Sequence, residues 1–211
     1  MTATVPEYGF TSEAPAHTAA YLRDAVMALL PPLPPGARIL DIGCGNGFWA
    51  GQFLAKGFTV VGIDPSEKGI TIARRSYPKA RFEQTIASSD LLQRLGEPPF
   101  DVIVSTEVVE HLYSPRDWAS AAFNALKPGG RLICSTPYHG YIKNLALAVF
   151  NKWDWHVKPL WDGGHIKFWS RATLTELLLE PGFVNIQFRG AGRAPYLWMS
   201  MVMSADRPAA R

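Results

Sequence analysis

Two cysteines in 211 residues are too few for a disulfide framework, which points to a reduced, cytoplasmic setting. No apolar run approaches the roughly 20 residues of a membrane-spanning helix; the stretch Leu145–Phe150 is typical of the longest. An excess of one charge is also missing. Lys+Arg number 21 against 18 Asp+Glu, a scattered net +3 that argues against a nucleic-acid partner. The opening MTATVPEYGF has neither a basic start nor an apolar stretch, so no secretory signal is expected. Internal repeats and low-complexity linkers are absent too. What remains suits one packed domain: 47% of residues are hydrophobic and only 18% charged, which excludes global disorder.

Strand and helix signals alternate along most of the chain. Residues 16–30 place Leu22, Val26, Leu29 and Leu30 at helical spacing, and PPLPPG at 31–36 ends that helix. Buried strands are expected at 37–43, 58–64, 100–106 and 131–136, with a more polar, edge-like strand at 80–85. Helices are expected at 48–57, with Phe53 and Leu54 inward, and at 67–76, 116–126 and 171–179, the last opened by Ser170 or Thr173. A closing strand pair is read at 184–190 and 196–203, with a frayed tail after Ser204. The segment 137–169 breaks the alternation. It is dense in aromatic residues and carries His139, His156 and His165. The chain thus reads as a single domain: a cap region 1–36, a core 37–136, an aromatic insertion 137–169 and a closing unit 170–204.

Repeated strand–helix units imply an α/β, doubly wound parallel sheet, whose ligands bind beyond the carboxyl ends of the strands. After the first strand stands Asp41-Ile42-Gly43-Cys44-Gly45-Asn46-Gly47. Its glycines let backbone N–H groups approach a ligand with a helix N-terminus behind them. A glycine loop alone also fits dinucleotide sites. Asp41 adds specificity, since a carboxylate there suits an ammonium group and is of no use to a phosphate. Asp64, 21 residues after Gly43, ends the second strand, followed by Pro65. It can accept hydrogen bonds from a ribose diol or, more simply, cap the next helix. The two cysteines, Cys44 and Cys134, read as buried small hydrophobes.

With these residues in hand, the chain resembles the class I S-adenosylmethionine-dependent methyltransferases. DIGCGNG, GID, FDVIVSTEVVEHL and LKPGGRLICSTP stand in the family's order over about residues 37–136. EVVEH, STP and GGHIKFWS further resemble the ubiquinone-biosynthesis-type O-methyltransferases. The resemblance implies a Rossmann-like, seven-stranded sheet of order 3-2-1-4-5-7-6 with strand 7 antiparallel. It also implies S-adenosylmethionine as cofactor and S-adenosylhomocysteine as product. By position, Asp41, Gly43, Gly45 and Gly47 would hold the methionine part, and Asp64 with Pro65 the ribose. Ile86, Ala87 and Ser88 would flank the adenine, and Glu107 and Val108 would lie near the sulfonium. The stretch TIASSD departs from the family's frequent acidic residue at the adenine.

Glu107-Val108-Val109-Glu110-His111 is the densest chemical cluster. In a helical turn, positions 107, 110 and 111 share a face. Three readings stand: a general base at His111 or Glu110, a divalent-metal site that acidifies a catechol-like acceptor, or a structural turn in which His111 bonds the backbone. No metal is expected as such. His165 is a second candidate for catalysis, facing the acceptor from paired glycines, whereas His139 and His156 read as packed residues. A base matters most for an oxygen acceptor, because ionising a phenol of pKa near 10 at pH 7 costs about 4 kcal/mol. The cluster therefore tilts the reading towards O-methylation of a small or medium, partly apolar acceptor.

Tyr8 and Phe10 are expected either to fold over the pocket or to pack in the core. Tyr141–Phe150 reads as a helix with an apolar face, its polar face carrying only Lys143 and Asn144. It is a lid, a shallow membrane-surface contact or a helix packed on its own domain, and so few polar residues argue against strong attraction to anionic lipid. Three rival functions remain. A nicotinamide oxidoreductase lacks its third glycine here, since the loop reads GCGNGF, and no Tyr-x-x-x-Lys is evident. An N-methyltransferase acting on a small amine shares the fold. A non-catalytic module that keeps the cofactor fold but methylates nothing is the third, and the intact acids at both cofactor positions argue against it.

Overall fold

Along β1 (Arg38–Ile42), Ile39 points to one face and Leu40 and Ile42 to the other, and all three are buried. A strand without a wetted face belongs inside a sheet covered on both sides. The computed structural model, which describes residues 9–210, has that sheet. Its seven strands run β3-β2-β1-β4-β5-β7-β6. β1, β2 (Thr59–Asp64), β3 (Arg81–Gln84), β4 (Phe100–Thr106) and β5 (Leu126–Pro137) are parallel to their neighbours in that block. β7 (Ser200–Asp206) is antiparallel both to β5 and to β6 (Val184–Ala191). This is the expected doubly wound α/β arrangement, with β3 at one edge.

Helices α1 (Ala19–Leu29), α2 (Phe48–Leu54) and α3 (Glu67–Ser76) cover one face through Leu22, Val26, Phe53 and Ile70. The other face carries α4 (Leu91–Leu95), α5 (Pro115–Ala125) and α8 (Arg171–Leu179), packed through Leu91, Trp118, Leu174 and Leu178. Trp118 is wholly buried, and its Nε1–H donates to Ser105 Oγ at 3.2 Å, which removes the cost of an unpaired indole donor. Of the two candidate caps on α8, Ser170 is the N-cap: its Oγ accepts from Thr173 N at 3.3 Å, and Thr173 Oγ1 accepts from Ser170 N in return. Between β5 and α8 lie α6 (Tyr141–Val149) and α7 (Trp153–Val157). Among the described residues no helix is long and apolar enough to cross a membrane.

Several expectations need correction. The last strand begins at Ser200, not 196, because Arg193 and Tyr196 take positive φ (55° and 64°) and fold 192–199 into a loop. Nor does the chain fray after Ser204. Arg131 grips both oxygens of Asp206 at 2.7 and 3.1 Å, and Arg207 Nη1 donates to the carbonyls of Leu126 (2.6 Å) and Phe123 (3.0 Å). Helix α2 turns Trp49, Ala50 and Phe53 inward and leaves Leu54 half-buried. The KPGG stretch belongs to β5, with a register shift between the Phe100–Leu126 and Val102–Arg131 pairs. Five-residue α4 and α7 are too short to show a periodicity.

Candidate active site

The sheet reverses its order between β1 and β4, and the crevice beyond their carboxyl ends is where ligands of such sheets bind. A cavity of about 1860 Å³ opens there. It exceeds the roughly 300–1,000 Å³ of an ordinary single-ligand pocket, so it has room for two molecules.

One end is built from main chain. Gly43 and Gly45 line it, with φ of 77° and 51°, the left-handed region that glycine enters without penalty. A Cβ at Gly43 would lie 2.3 Å from Val108 Cγ2, and one at Gly45 would lie 2.5 Å from the Phe10 ring. Gly43 N and Cys44 N both donate to Ile63 O (2.8 and 3.0 Å). Asp64 clamps the loop from β2: its Oδ2 accepts from Gly45 N and its Oδ1 from Ser66 N, each at 2.8 Å. Pro65, Ile86 and Ala87 also line this end. Asn46 Nδ2 donates to Ser12 O (2.7 Å) and Ala14 O (2.8 Å) and ties the N-terminal segment, with Phe10, across the loop. Tyr8 lies outside the described residues.

Four expected site residues are set back from the cavity wall. Gly47 is the N-cap of α2, where a Cβ would press on Ala73 Cβ at 2.9 Å. Ser88 turns away and donates to Asp90 Oδ1 at 2.6 Å. Asp41 is fully buried beneath the loop, and among the described residues neither of its oxygens has a hydrogen-bond partner. Burial, then the neighbouring Asp64 carboxylate, push its pKa up to about 8. Glu110 is 1% exposed, and among the described residues neither of its oxygens has a hydrogen bond of normal geometry.

The cluster after β4 is a bend followed by a short 3-10 turn, Val109–His111, so residues 107–111 are not one helical turn. Glu107 has φ of 54°, a strained value for a residue with a side chain. Its N–H donates to Ser135 O at 3.0 Å, and its carboxylate accepts from Ser135 Oγ (2.8 Å) and Ser200 Oγ (3.1 Å). Burial raises its pKa to about 7. Glu110 is pushed well above the carboxylate range by burial, then by Glu107; Thr136 offsets part of this without closing a hydrogen bond of normal geometry.

His111 lines the cavity and is held from behind. Its Nδ1 donates to Gly163 O at 2.8 Å, with Gly164 O at 3.2 Å, which makes Nε2 the basic nitrogen. That Nε2 lies 3.9 Å from Glu110 Oε1. Burial depresses the His111 pKa, so the ring is neutral near pH 7. His165 also lines the cavity, its ring centroid 4.9 Å from that of His111, and its pKa is lowered to about 4, mainly by burial. Donor atoms of Glu110, His111 and His165 all fall within 4.8 Å of one another, close enough to share a divalent cation after modest closure. The turn reading of His111 is also realised, since the same ring staples the turn to the Gly163-Gly164 backbone.

The far end of the cavity is formed by the aromatic insertion and the β6–β7 loop, with Leu147, Phe150, Trp155 and Trp161 in its wall. Sequence reasoning missed Tyr21, Ser135, Ser200 and Lys143. Tyr21 and Ser200 line the cavity about 180 positions apart in the chain, and Tyr21 Oη lies 3.3 Å from Ser200 Oγ. No local pattern signals such a pair.

Comparison with known proteins agrees with this geometry. The methyltransferase domain family model matches residues 15–188. A ubiquinone biosynthesis O-methyltransferase of Dinoroseobacter shibae is 36% identical over 159 residues, covering 74% of this chain and 63% of that protein. A protein of the same name from Cereibacter sphaeroides is 31% identical over 180 residues, covering 83% and 72%. The chain therefore spans about two thirds of the length of these curated relatives. An S-adenosylmethionine dependent methyltransferase from Mesorhizobium loti superposes with a TM-score of 0.64 at 23% identity, over 88% of this chain and 97% of that one. At that identity the likeness is one of fold.

Proposed function

Because this chain belongs to the methyltransferase domain family, whose members here are S-adenosylmethionine-dependent, we propose that it methylates a hydroxyl group on a small or medium, partly apolar acceptor. The observation that carries the reading is the placement of neutral His111 at the junction of the two halves of the cavity, between a glycine-and-acid rim and an aromatic chamber.

The rim fits the cofactor. Gly43 and Gly45 form a cradle that a Cβ would fill, which is what close approach of a ligand to backbone requires. Asp64 is placed for the ribose, and Asp41 and Glu107, whose protons burial retains up to about pH 8 and about pH 7, would ionise to meet a molecule bearing an ammonium and a sulfonium. When bound, S-adenosylmethionine supplies an electrophilic methyl that needs alignment more than activation. Holding two reactants in line is worth on the order of 7–11 kcal/mol. Leu147, Trp155 and Trp161 would keep the acceptor on the correct side and exclude water from it.

His111 Nε2 would take the hydroxyl proton. The Gly163 carbonyl fixes its tautomer, and the proton arrives 3.9 Å from Glu110, a carboxyl group that burial keeps protonated and whose oxygen would accept a hydrogen bond from the imidazolium. A positioned base of this kind contributes roughly 10²–10⁴-fold. A second reading follows from the Glu110–His111–His165 group: with one potential ligand atom from each within 4.8 Å of the others, a divalent cation bound there in exchange for the Glu110 proton would acidify the acceptor hydroxyl.

The test is S-adenosylhomocysteine formation with matched phenol, catechol and amine acceptors, with and without chelator. Turnover with hydroxyl acceptors supports the reading, and turnover confined to amines sinks it. Loss of turnover on chelation, restored by added Mg²⁺ or Zn²⁺, selects the cation form over the free base.

A further inference from the structure

Helix α6 inverts the usual order of burial. Tyr141, Ile142, Leu145 and Val149 are exposed, whereas its charged residue, Lys143, is 7% exposed and is the helix's buried residue. Charged groups are seldom buried without a partner. An ammonium has three protons to donate. Lys143 Nζ makes one hydrogen bond, to Met199 O at 3.2 Å, and among the described residues no carboxylate lies within ion-pairing distance of it.

Its surroundings make the shortage worse. Arg193, in the β6–β7 loop, is near enough to lower the Lys143 pKa, after burial, to about 8, and only Glu107 opposes them. Lys143, Arg193 and His156 all line the acceptor end of the cavity, as do the exposed Lys152 and Lys158. The acids of the insertion, Asp154 and Asp162, stay out of the wall; those that line the cavity, Asp64, Glu107 and Asp117, come from β2, the β4 turn and α5. The cavity is thus divided by sign, negative where a cationic cofactor is expected and positive in the chamber beyond.

Building on the proposed methyl transfer, we infer that Lys143 and Arg193 form a subsite for an oxyanion, a carboxylate or phosphate, carried by the acceptor. A buried ammonium with two unused donors can complete its shell with such a group, while the guanidinium at the chamber mouth supplies a planar fork for the same oxygens. The aromatic walls would hold the apolar body of the molecule, so that the anchored oxyanion sets which hydroxyl reaches His111. Lys143 therefore determines specificity, and the proton transfer does not pass through it.

The experiment compares three acceptors with one catechol ring: 3,4-dihydroxybenzoate, 3,4-dihydroxybenzylphosphonate and the uncharged 3,4-dihydroxybenzamide. Their binding to the enzyme–S-adenosylhomocysteine complex is measured by calorimetry, alongside turnover. At least one anionic probe should bind about tenfold more tightly than the amide, about 1.4 kcal/mol. The better of the two identifies the oxyanion. In Lys143→Gln the preference should fall below about twofold with S-adenosylhomocysteine affinity unchanged, and Lys143→Arg should restore part of it. A purely structural lysine would instead weaken all three probes equally. If Lys143→Gln does not fold, exposed Arg193→Gln carries the test and should reduce the preference about threefold. Equal binding of amide and anions to the wild-type protein, or a preference that survives these substitutions, overturns the inference. Failure of every acceptor to turn over while the anions still bind selectively would instead count against methyl transfer to oxygen.

Discussion

The two ends of the cavity are made of different material. At the rim, the ligand-facing surface is main chain, held by main-chain and carboxylate bonds such as Gly45 N to Asp64 Oδ2. In the insertion it is side chain, such as Leu147, Trp155, His156 and Trp161, with large apolar groups in solvent. A surface made of backbone is preformed and tolerates little change, and it suits a partner that never varies. One made of exposed side chains can be rebuilt for each acceptor. The lesson is that the constant half of a transfer reaction is written in glycines and sheet ends, and the variable half in an insertion.

The sharpest way to test that division is at its boundary. His111→Gln should lower kcat by about 10²–10⁴-fold while leaving S-adenosylmethionine affinity within about twofold, because the residue serves the acceptor side only. Stopped assays with saturating cofactor and calorimetry read the two quantities. A large loss of cofactor binding would erase the boundary. Next in size is Asp64→Ala. It removes the acceptor of two loop N–H groups, each a charge-assisted bond worth roughly 1.5–3 kcal/mol, and affinity for S-adenosylmethionine should fall about a hundredfold or more. Unchanged affinity would remove Asp64 from the ribose and the loop from the cofactor.

This division also explains what was legible in the sequence. Strand order, the Gly43–Gly47 loop and Asp64 could be read because backbone geometry forces residue type: positive φ demands glycine, and a doubly buried strand demands an apolar run. Glu107, Glu110 and His111 could be read as a cluster but not as a shape. The positive φ of Glu107 depends on Ser135, from another strand, holding its N–H and carboxylate. Lys143 reads on a helical wheel as the solvated face of an amphipathic segment. Its burial is decided by Met199 and the β6–β7 loop, more than fifty residues away. The misjudged tail has the same cause, since Arg131 and Arg207 act across the sheet edge.

A smaller effect follows from the protons. Asp41 and Glu107 have pKa values raised by burial to about 8 and about 7. A carboxyl group raised in this way holds a proton in the folded protein that the unfolded chain has lost. Its stabilising contribution is therefore full below the unfolded value and disappears as pH rises through the folded one. A cationic cofactor at the rim favours the ionised form, so binding should release protons, and affinity should rise between about pH 6 and pH 8 by no more than about tenfold per unit for each proton released. Calorimetry in buffers of different ionisation enthalpy measures the release. Asp41→Asn should diminish it and make the unliganded protein more stable near pH 8. Binding that takes up protons, or none moving at all, would show that the rim acids are already balanced from within.

The smallest expected change is in some respects the most diagnostic, because it asks whether the insertion is structure or surface. Trp155 lines the cavity from α7, a helix with no buried residue, and is 72% exposed. Deleting an exposed side chain ordinarily moves stability by less than about 0.5 kcal/mol, a shift of about 1–2 °C for a chain of this size. Trp49, in α2 against the sheet, is 8% exposed, and the same deletion there should cost about 3–5 kcal/mol. Trp155→Ala should therefore leave the melting temperature nearly untouched while raising the acceptor KM several-fold, and leave cofactor affinity alone. If instead it melts the protein as Trp49→Ala does, α7 is part of the core in solution. The acceptor chamber would then be as rigid as the rim, and the contrast between the two would lose its physical basis.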